Sequence, residues 1–375
     1  MGVKSSGSGS LGGVEYAVLY LFQVWNMPFC TCFMLDKLSI KRLNNGPSDP
    51  RRPKLRHRPQ RPKDPCKRKS EMAIANILKA VILGVILTLT APSGKGWAQE
   101  PVTLISGDIT LNGTLVLADG QTLSDGIILL THGTLAHNGM ETIQGLQSVL
   151  EERGISTLAI TLGLGISDRT GFYDCTIPSR HLHQDGVAEI GQWLAWLKDQ
   201  GAQDITIMGH SRGGNQTAWF AAENANAGFS RVILLAPMLG DPVKQAAGYE
   251  ARYGQPLAGL LSKAQDMVAA GKGDDLMAVP GLLYCKDTRA SAAAFVSYYA
   301  PEPRRDTATL LPVIAQPVLV IGGTADQVVT GLQAAVAPLS DDENLTLVMI
   351  EDADHSFLDF SAEDVADAIE EFVKG

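Results

Sequence analysis

From Gln99 onward, short apolar runs alternate with longer stretches whose apolar residues recur every three or four positions. The runs Gly113–Ala118, Gly126–Thr131, Thr157–Leu162, Asp204–Met208, Arg231–Ala236, Pro317–Ile321 and Leu345–Ile350 predict strands. The later runs are apolar at consecutive positions, the pattern of parallel strands covered on both faces. Between them, Met140, Ile143, Leu146 and Leu150 share one helical face, and so do Val187, Ile190, Leu194 and Leu197. A last helix is predicted around Val365, Ile369 and Phe372, with Ser361 three residues before Asp364 in a capping-box spacing. Such alternation predicts an α/β fold, a mostly parallel sheet with helices on both faces. It breaks at residues 238–312, where no strand is predicted and Leu257–Ala270 reads as a helix after Pro256. That stretch is expected to be an inserted, largely helical cap over the carboxyl edge of the sheet.

The chain is 45% hydrophobic and 19% charged, which excludes disorder throughout, a collagen-like repeat and a polytopic membrane protein. Five cysteines are too few and too scattered for a disulfide scaffold or a four-ligand zinc site. Charge divides the chain more sharply. Residues 1–98 carry 16 Lys and Arg against 5 Asp and Glu, whereas the remainder carries 15 against 35. An acidic body repels phosphate backbones and anionic membrane surfaces, so neither nucleic acid nor stable membrane insertion of the mature domain is expected. A solvated surface is the plain reading of that charge, and steering of a cationic substrate is the alternative.

Arg51–Lys69 is nearly all Arg, Lys, Pro and His and cannot bury a core, so residues 1–71 read as a basic, disordered extension, with Met72 the alternative start. After Met72 comes the apolar stretch Ala73–Thr90, and Gly96-Trp97-Ala98 places small residues where a signal peptidase requires them. Residues 72–98 are therefore expected to be a signal peptide cleaved near Ala98, leaving the body 99–375 periplasmic or secreted. The alternative is a membrane anchor through the uncharged segment Ala17–Leu35, which Asn26 and Pro28 weaken. Either way the body lies outside the cytoplasm. It retains only Cys175 and Cys285, read by default as isolated core thiols, although an oxidising compartment would let them pair.

The run Ile205-Thr206-Ile207-Met208-Gly209-His210-Ser211-Arg212-Gly213-Gly214 is a predicted strand, a Gly-x-Ser-x-Gly turn and a helix start. Such a turn strains the serine backbone and leaves its hydroxyl exposed beyond the strand, while the glycines admit neighbouring chain. A hydroxyl needs a base to take its proton, and the base needs an orienting group. Both are available after later strands, in the order Ser, acid, His. The run ending at Ile321 leads through Gly322-Gly323-Thr324-Ala325 to Asp326, and the run ending at Ile350 leads to His355, the one histidine beyond His210. Asp352 and Asp354 compete with Asp326 for the acid by proximity in sequence. Two backbone N–H donors must also face the developing oxyanion. The amide of Arg212 is one; Thr134, in the loop His132-Gly133-Thr134, is the other, with Gly133 next.

These pieces together resemble the α/β-hydrolase superfamily over roughly Gly113 to the C-terminus. The resemblance rests on the His132-Gly133 loop, the Gly209–Gly213 elbow, the Gly-x-x-Asp loop at Asp326 and the Asp-His-Ser-Phe stretch at His355. It implies an α/β-hydrolase fold, a Ser211–Asp326–His355 triad, a cap after the sixth strand, and hydrolysis without metal or organic cofactor. Ser211 at the elbow speaks against the branches that use a carboxylate nucleophile, and the oxyanion loop lacks the triple glycine of one lipase and esterase branch. The expected substrate is a small-molecule carboxylic ester. Amide, thioester, C–C bond cleavage or acyl transfer on the same triad stands second, and a silent binding protein last.

Two further features are open. The loop Gly163–His183 reads either as a substrate-contacting lid or as a plain polar loop, and His181-x-His183-x-Asp185 within reach of it has a spacing compatible with a metal but not diagnostic of one. The Arg212 side chain reads as a surface or cap-contacting charge.

Overall fold

The computed structural model describes residues 99–340 and 343–375. The segments read as a basic extension, as a signal peptide and as the alternative Ala17–Leu35 anchor lie outside the described residues. Within them, β1 (Gln99–Ser106) and β2 (Ile109–Val116) form an antiparallel hairpin. It is followed by β3 (Ile127–Thr131), β4 (Thr157–Thr161), β5 (Ile205–His210) and β6 (Arg231–Leu235). β7 (Leu276–Leu282) and β8 (Cys285–Ser291) pair only with each other, and β9 (Val318–Gly323) and β10 (Leu345–Ile350) complete the main sheet. Its order is β1-β2-β4-β3-β5-β6-β9-β10, antiparallel at β1–β2 and β2–β4 and parallel from β4 to β10.

Period-two alternation decides which helix each strand residue meets. In β3, Ile127 and Leu129 face one core, while Ile128 and Leu130 face the other. The first core takes Ile190, Trp193, Leu194 and Leu197 of α2 (His183–Asp199), and the second takes Ile143, Leu146 and Leu150 of α1 (Glu141–Glu152). α3 (Arg212–Glu223) follows β5 directly. The last helix, Phe360–Lys374, buries Val365 and Ile369 as predicted but begins one residue before Ser361, after Asp359, so the Ser361–Asp364 capping box is not used.

Two strand expectations are corrected. β1 was not predicted, because only Val102 and Leu104 of this edge strand pack on the core, too few to raise a clear alternation. The segment 238–312 contains the β7–β8 hairpin as well as α4 (Pro242–Tyr253), α5 (Leu257–Ala269) and α6 (Ala292–Tyr299). That hairpin buries Met277, Val279, Leu282, Cys285 and Ala290. Pro280 and Gly281 within it and the charges at Lys286, Asp287 and Arg289 hide the signal in sequence.

Cys175 and Cys285 are joined in a disulfide, which replaces the default reading of isolated thiols. The chain brings them together by strand-like pairing: the Ser179 amide donates to Arg289 O at 2.8 Å and the Ser291 amide to Ser179 O at 2.9 Å. This holds the two cysteines' Cα atoms 5.2 Å apart, within bridging reach. The bond closes a loop across a separation of 110 residues. Replacing both cysteines by serine is expected to lower the unfolding free energy by about 4–5 kcal/mol, from the freed unfolded-state entropy of so long a loop. Urea unfolding of the two proteins without reductant checks it, and an unchanged midpoint would contradict it.

Candidate active site

The parallel strands all end at one edge of the sheet, and four of them deliver the residues in question. β5 ends at Ser211, β9 leads to Asp326, β10 to His355, and β3 to the His132–Thr134 loop. Ser211 sits at φ 59° and ψ −120°, a left-handed conformation costly for a side-chain-bearing residue. Neighbouring backbone holds it there: the Ser211 amide donates to Leu235 O at 2.9 Å, and the Met238 amide donates to Ser211 O at 2.9 Å. The flanking glycines are required by contact. A Cβ at Gly209 would lie 2.3 Å from Gly213 O, and one at Gly213 would lie 2.2 Å from His132 O.

His355 Nε2 accepts the Ser211 hydroxyl at 2.9 Å, and its Nδ1–H donates to Asp326 Oδ2 at 2.8 Å. Burial pushes the Asp326 carboxyl up, but the hydrogen bonds from His355 and from the Val329 and Val328 amides together hold it below its ordinary value. It therefore stays an acceptor at neutral pH. Of the competing residues, Asp354 is engaged otherwise, its Oδ1 accepting from the Ser356 amide at 2.8 Å, and it is Asp326 rather than Asp352 that meets His355 Nδ1. A carboxylate, an imidazole and a serine hydroxyl are thus in one hydrogen-bonded chain, in which the ring can receive the hydroxyl proton.

Gly133 passes directly beside the serine, since a Cβ there would come 3.1 Å from Ser211 Cβ. Thr134 lines the same cavity as Ser211 and Arg212, and its Oγ1 accepts from Arg212 Nε at 3.0 Å. The Arg212 side chain is part-buried, with its guanidinium 5.5 Å from the centre of the Tyr298 ring in α6. It contacts the cap rather than lying on the surface.

Two histidines to which the sequence assigned no role of their own, His210 and His132, brace the site. His210 donates from Nε2 to His355 O at 2.9 Å and so fixes the loop that carries the ring. Burial, then the neighbouring His355, lowers its pKa to about 4 and keeps it neutral. His132 donates from Nδ1 to Gly133 O at 2.8 Å, while its Nε2 accepts from the Leu162 amide and from Arg169. Burial, then the Arg169 charge, lowers His132 to about 3. The loop 163–183 thereby acts as a brace behind the His132–Thr134 turn; none of its residues lines the cavity, so it is not a lid. The one hint in the sequence was the unusual density of polar residues in that loop.

The possible metal ligands diverge. His181 Nδ1 bonds the Tyr298 hydroxyl at 2.7 Å, His183 stacks on Trp219, and Asp185 accepts the Leu182 amide at 2.7 Å. Burial lowers His181 to about 3, and together with the charge of Arg212 and Arg305 it lowers His183 well below its ordinary value. Histidines held neutral in the folded state but free to protonate when unfolded add stability above pH 6.5, which is lost as pH falls toward their folded values. Each of His132, His181 and His210 is expected to cost about 1 kcal/mol of stability between pH 7.5 and 5.5. Urea midpoints across that range check the sign, and a midpoint rising with acid would contradict it.

The cavity that opens on Ser211 has a volume of about 520 Å³ and is walled on the cap side by Tyr249, Tyr253, Leu283 and Tyr299. That is the size of a small-molecule site.

A doubly covered parallel sheet with a strained serine at its carboxyl edge defines the α/β-hydrolase class. Residues 128–368 match the alpha/beta hydrolase family, and the chain belongs to it. No curated protein matches it in sequence. Among solved structures it is similar to Est1E from Butyrivibrio proteoclasticus, at 19% identity and a TM-score of 0.50 over 73% of this chain and 97% of that one. Est1E with ferulic acid bound gives 21% and 0.52, over 72% and 97% of the two chains. The alpha/beta hydrolase GrgF from Penicillium sp. sh18 gives 15% and 0.51, over 74% and 96%.

Proposed function

We propose that this protein is an exported serine hydrolase that cleaves carboxylic esters of small or medium size through an acyl-enzyme. The observation that carries the reading is the chain of hydrogen bonds from Asp326 through His355 to Ser211, whose side chain lines the cavity. His355 deprotonates Ser211 as it attacks the acyl carbonyl. Asp326 keeps the ring in the tautomer that presents Nε2 to the hydroxyl and stabilises the imidazolium that forms. The amides of Arg212 and Thr134 hold the oxyanion: the first opens α3, where backbone N–H groups lack intrahelical partners, and the second lies in the turn packed beside Ser211. His355 then gives its proton to the leaving alcohol, and water repeats the steps to release the acid.

Export is supported by the signal-peptide pattern ending at Ala98 and by the Cys175–Cys285 bond, which an oxidising compartment favours. The direct test is labelling by a fluorophosphonate probe followed by peptide mapping. Modification confined to Ser211 and prevented by an ester substrate is the expected result. A protein that leaves the probe unreacted at every serine would overturn the reading. A parallel panel of matched ester, amide and thioester substrates assigns the bond cleaved.

A further inference from the structure

Two arginines that line the cavity opening on Ser211, Arg212 and Arg305, stand close to Tyr298 with no ion pair to either among the described residues. Arg305 is only 6% exposed, lines the cavity, and donates from Nη1 to the Tyr298 carbonyl, while its Nε has no hydrogen-bond partner. Arg212 approaches Tyr298 with its guanidinium over the ring; beyond Thr134 Oγ1 its polar contact is Nη1 to His183 Nδ1 at 3.4 Å. No carboxylate of the described residues is ion-paired with either. Burial, followed by the Arg212 charge, lowers Arg305 to about 10, so it remains a cation at neutral pH.

A buried arginine that serves structure looks different in this same molecule. Arg169, also 6% exposed, donates to Leu162 O from two nitrogens, to Gly171 O and toward His132, with the charge of Glu189 nearby. The carboxylates that share the cavity wall with Arg305 are already engaged. Asp241 accepts the Val243 and Lys244 amides, and Asp306 accepts the Gly240 amide; the charge of Glu302 reaches Arg305, but its carboxylate oxygens accept from Arg304. Two neighbouring buried cations repel one another and lose hydration, a cost that an anion entering the cavity relieves.

We propose that the substrate is an ester carrying a second, free carboxylate, which Arg305 binds with Arg212 beside it while the ester carbonyl lies at Ser211. A guanidinium matches a carboxylate in plane and charge, and no carboxylate of the described residues is ion-paired with that of Arg305. This specificity sits inside an acidic body, so the cationic-substrate alternative is not the one the cavity favours. The word ester rests on the hydrolase reading above; the carboxylate site does not.

The test compares ethanol release from monoethyl glutarate with that from ethyl pentanoate, and pentanoate release from carboxymethyl pentanoate. The first and last put the carboxylate on the acyl side or on the alcohol side. A kcat/KM for one charged ester at least about tenfold above the neutral one is expected, the discrimination that hydrogen bonds to a charged group give. In Arg305→Met the ratio is expected to fall to within about threefold of one, and in Arg305→Lys to be partly restored. Calorimetric titration of the unaltered protein with glutarate and with glutaramide reads the site without turnover and without any variant. Glutarate alone should bind, and more weakly as salt rises. Preference for the neutral ester, equal binding of the amide, or a ratio unmoved in a folded Arg305→Met protein overturns the proposal. Glutarate binding with no ester cleaved would leave the carboxylate site standing and remove the esterase reading.

Discussion

Ser211→Ala is expected to lower kcat for p-nitrophenyl butyrate by about 10⁴-fold or more, because removing the nucleophile of a triad leaves only the residual effect of binding and oxyanion donors. The loss should fall on kcat with KM little changed, since the hydroxyl contributes more to the reaction than to holding a neutral acyl chain. Folding should survive. Ser211 keeps its place through its backbone bonds to Leu235 and Met238, and alanine preserves both. The strained φ of 59° suits neither residue better than the other. Matched steady-state kinetics and thermal unfolding of the two proteins test both halves together. Equal turnover of p-nitrophenyl acetate and butyrate by the variant would remove the serine mechanism altogether.

Gly213→Ala is expected to be the most damaging single substitution to the fold, at more than about 4 kcal/mol, or to prevent recovery of folded protein. A Cβ at that position would stand 2.2 Å from His132 O and 2.8 Å from Thr131 O. Neither atom belongs to a side chain that can turn away. Thr131 closes β3, and His132 is fixed by Gly133, the Leu162 amide and Arg169. Relief would therefore push the His132–Thr134 turn away from Ser211, so any variant that folds should also be slow on esters. Gly145→Ala supplies the contrast, because nothing lies within 4 Å of its Cβ in the interior of α1. There the change should add about 0.5–1 kcal/mol through helix propensity and a less flexible unfolded chain. Urea unfolding of the pair checks both signs, and a Gly213→Ala protein as stable as its parent would show that the turn is less tightly packed than its geometry states.

Much of this arrangement is legible in the chain before it folds. Period-two and helical spacing define six of the eight main-sheet strands to within two residues, because a strand buried on both faces must be apolar along its length. Ser211 and His355, with Asp326 among the candidate acids, follow from local grammar: each stands just after such a strand, and parallel strands end on one edge whatever their order in the sheet. Signals weaken where few residues of a strand pack on the core, as in β1, or where proline, glycine and charges interrupt the apolar run, as in the β7–β8 hairpin, so both escape the reading. The sequence by itself therefore determined the layered fold and the residues at the carboxyl edge of its sheet, since both depend on short-range pattern. The tertiary structure alone decided which carboxylate meets His355, that Cys175 reaches Cys285, and that His210 and His132 brace the site. It alone decided, too, that Arg212 and Arg305 meet around Tyr298 in one cavity. Those facts depend on the approach of segments far apart in the chain, and neither composition nor periodicity encodes which distant loop a side chain will face once the core has closed.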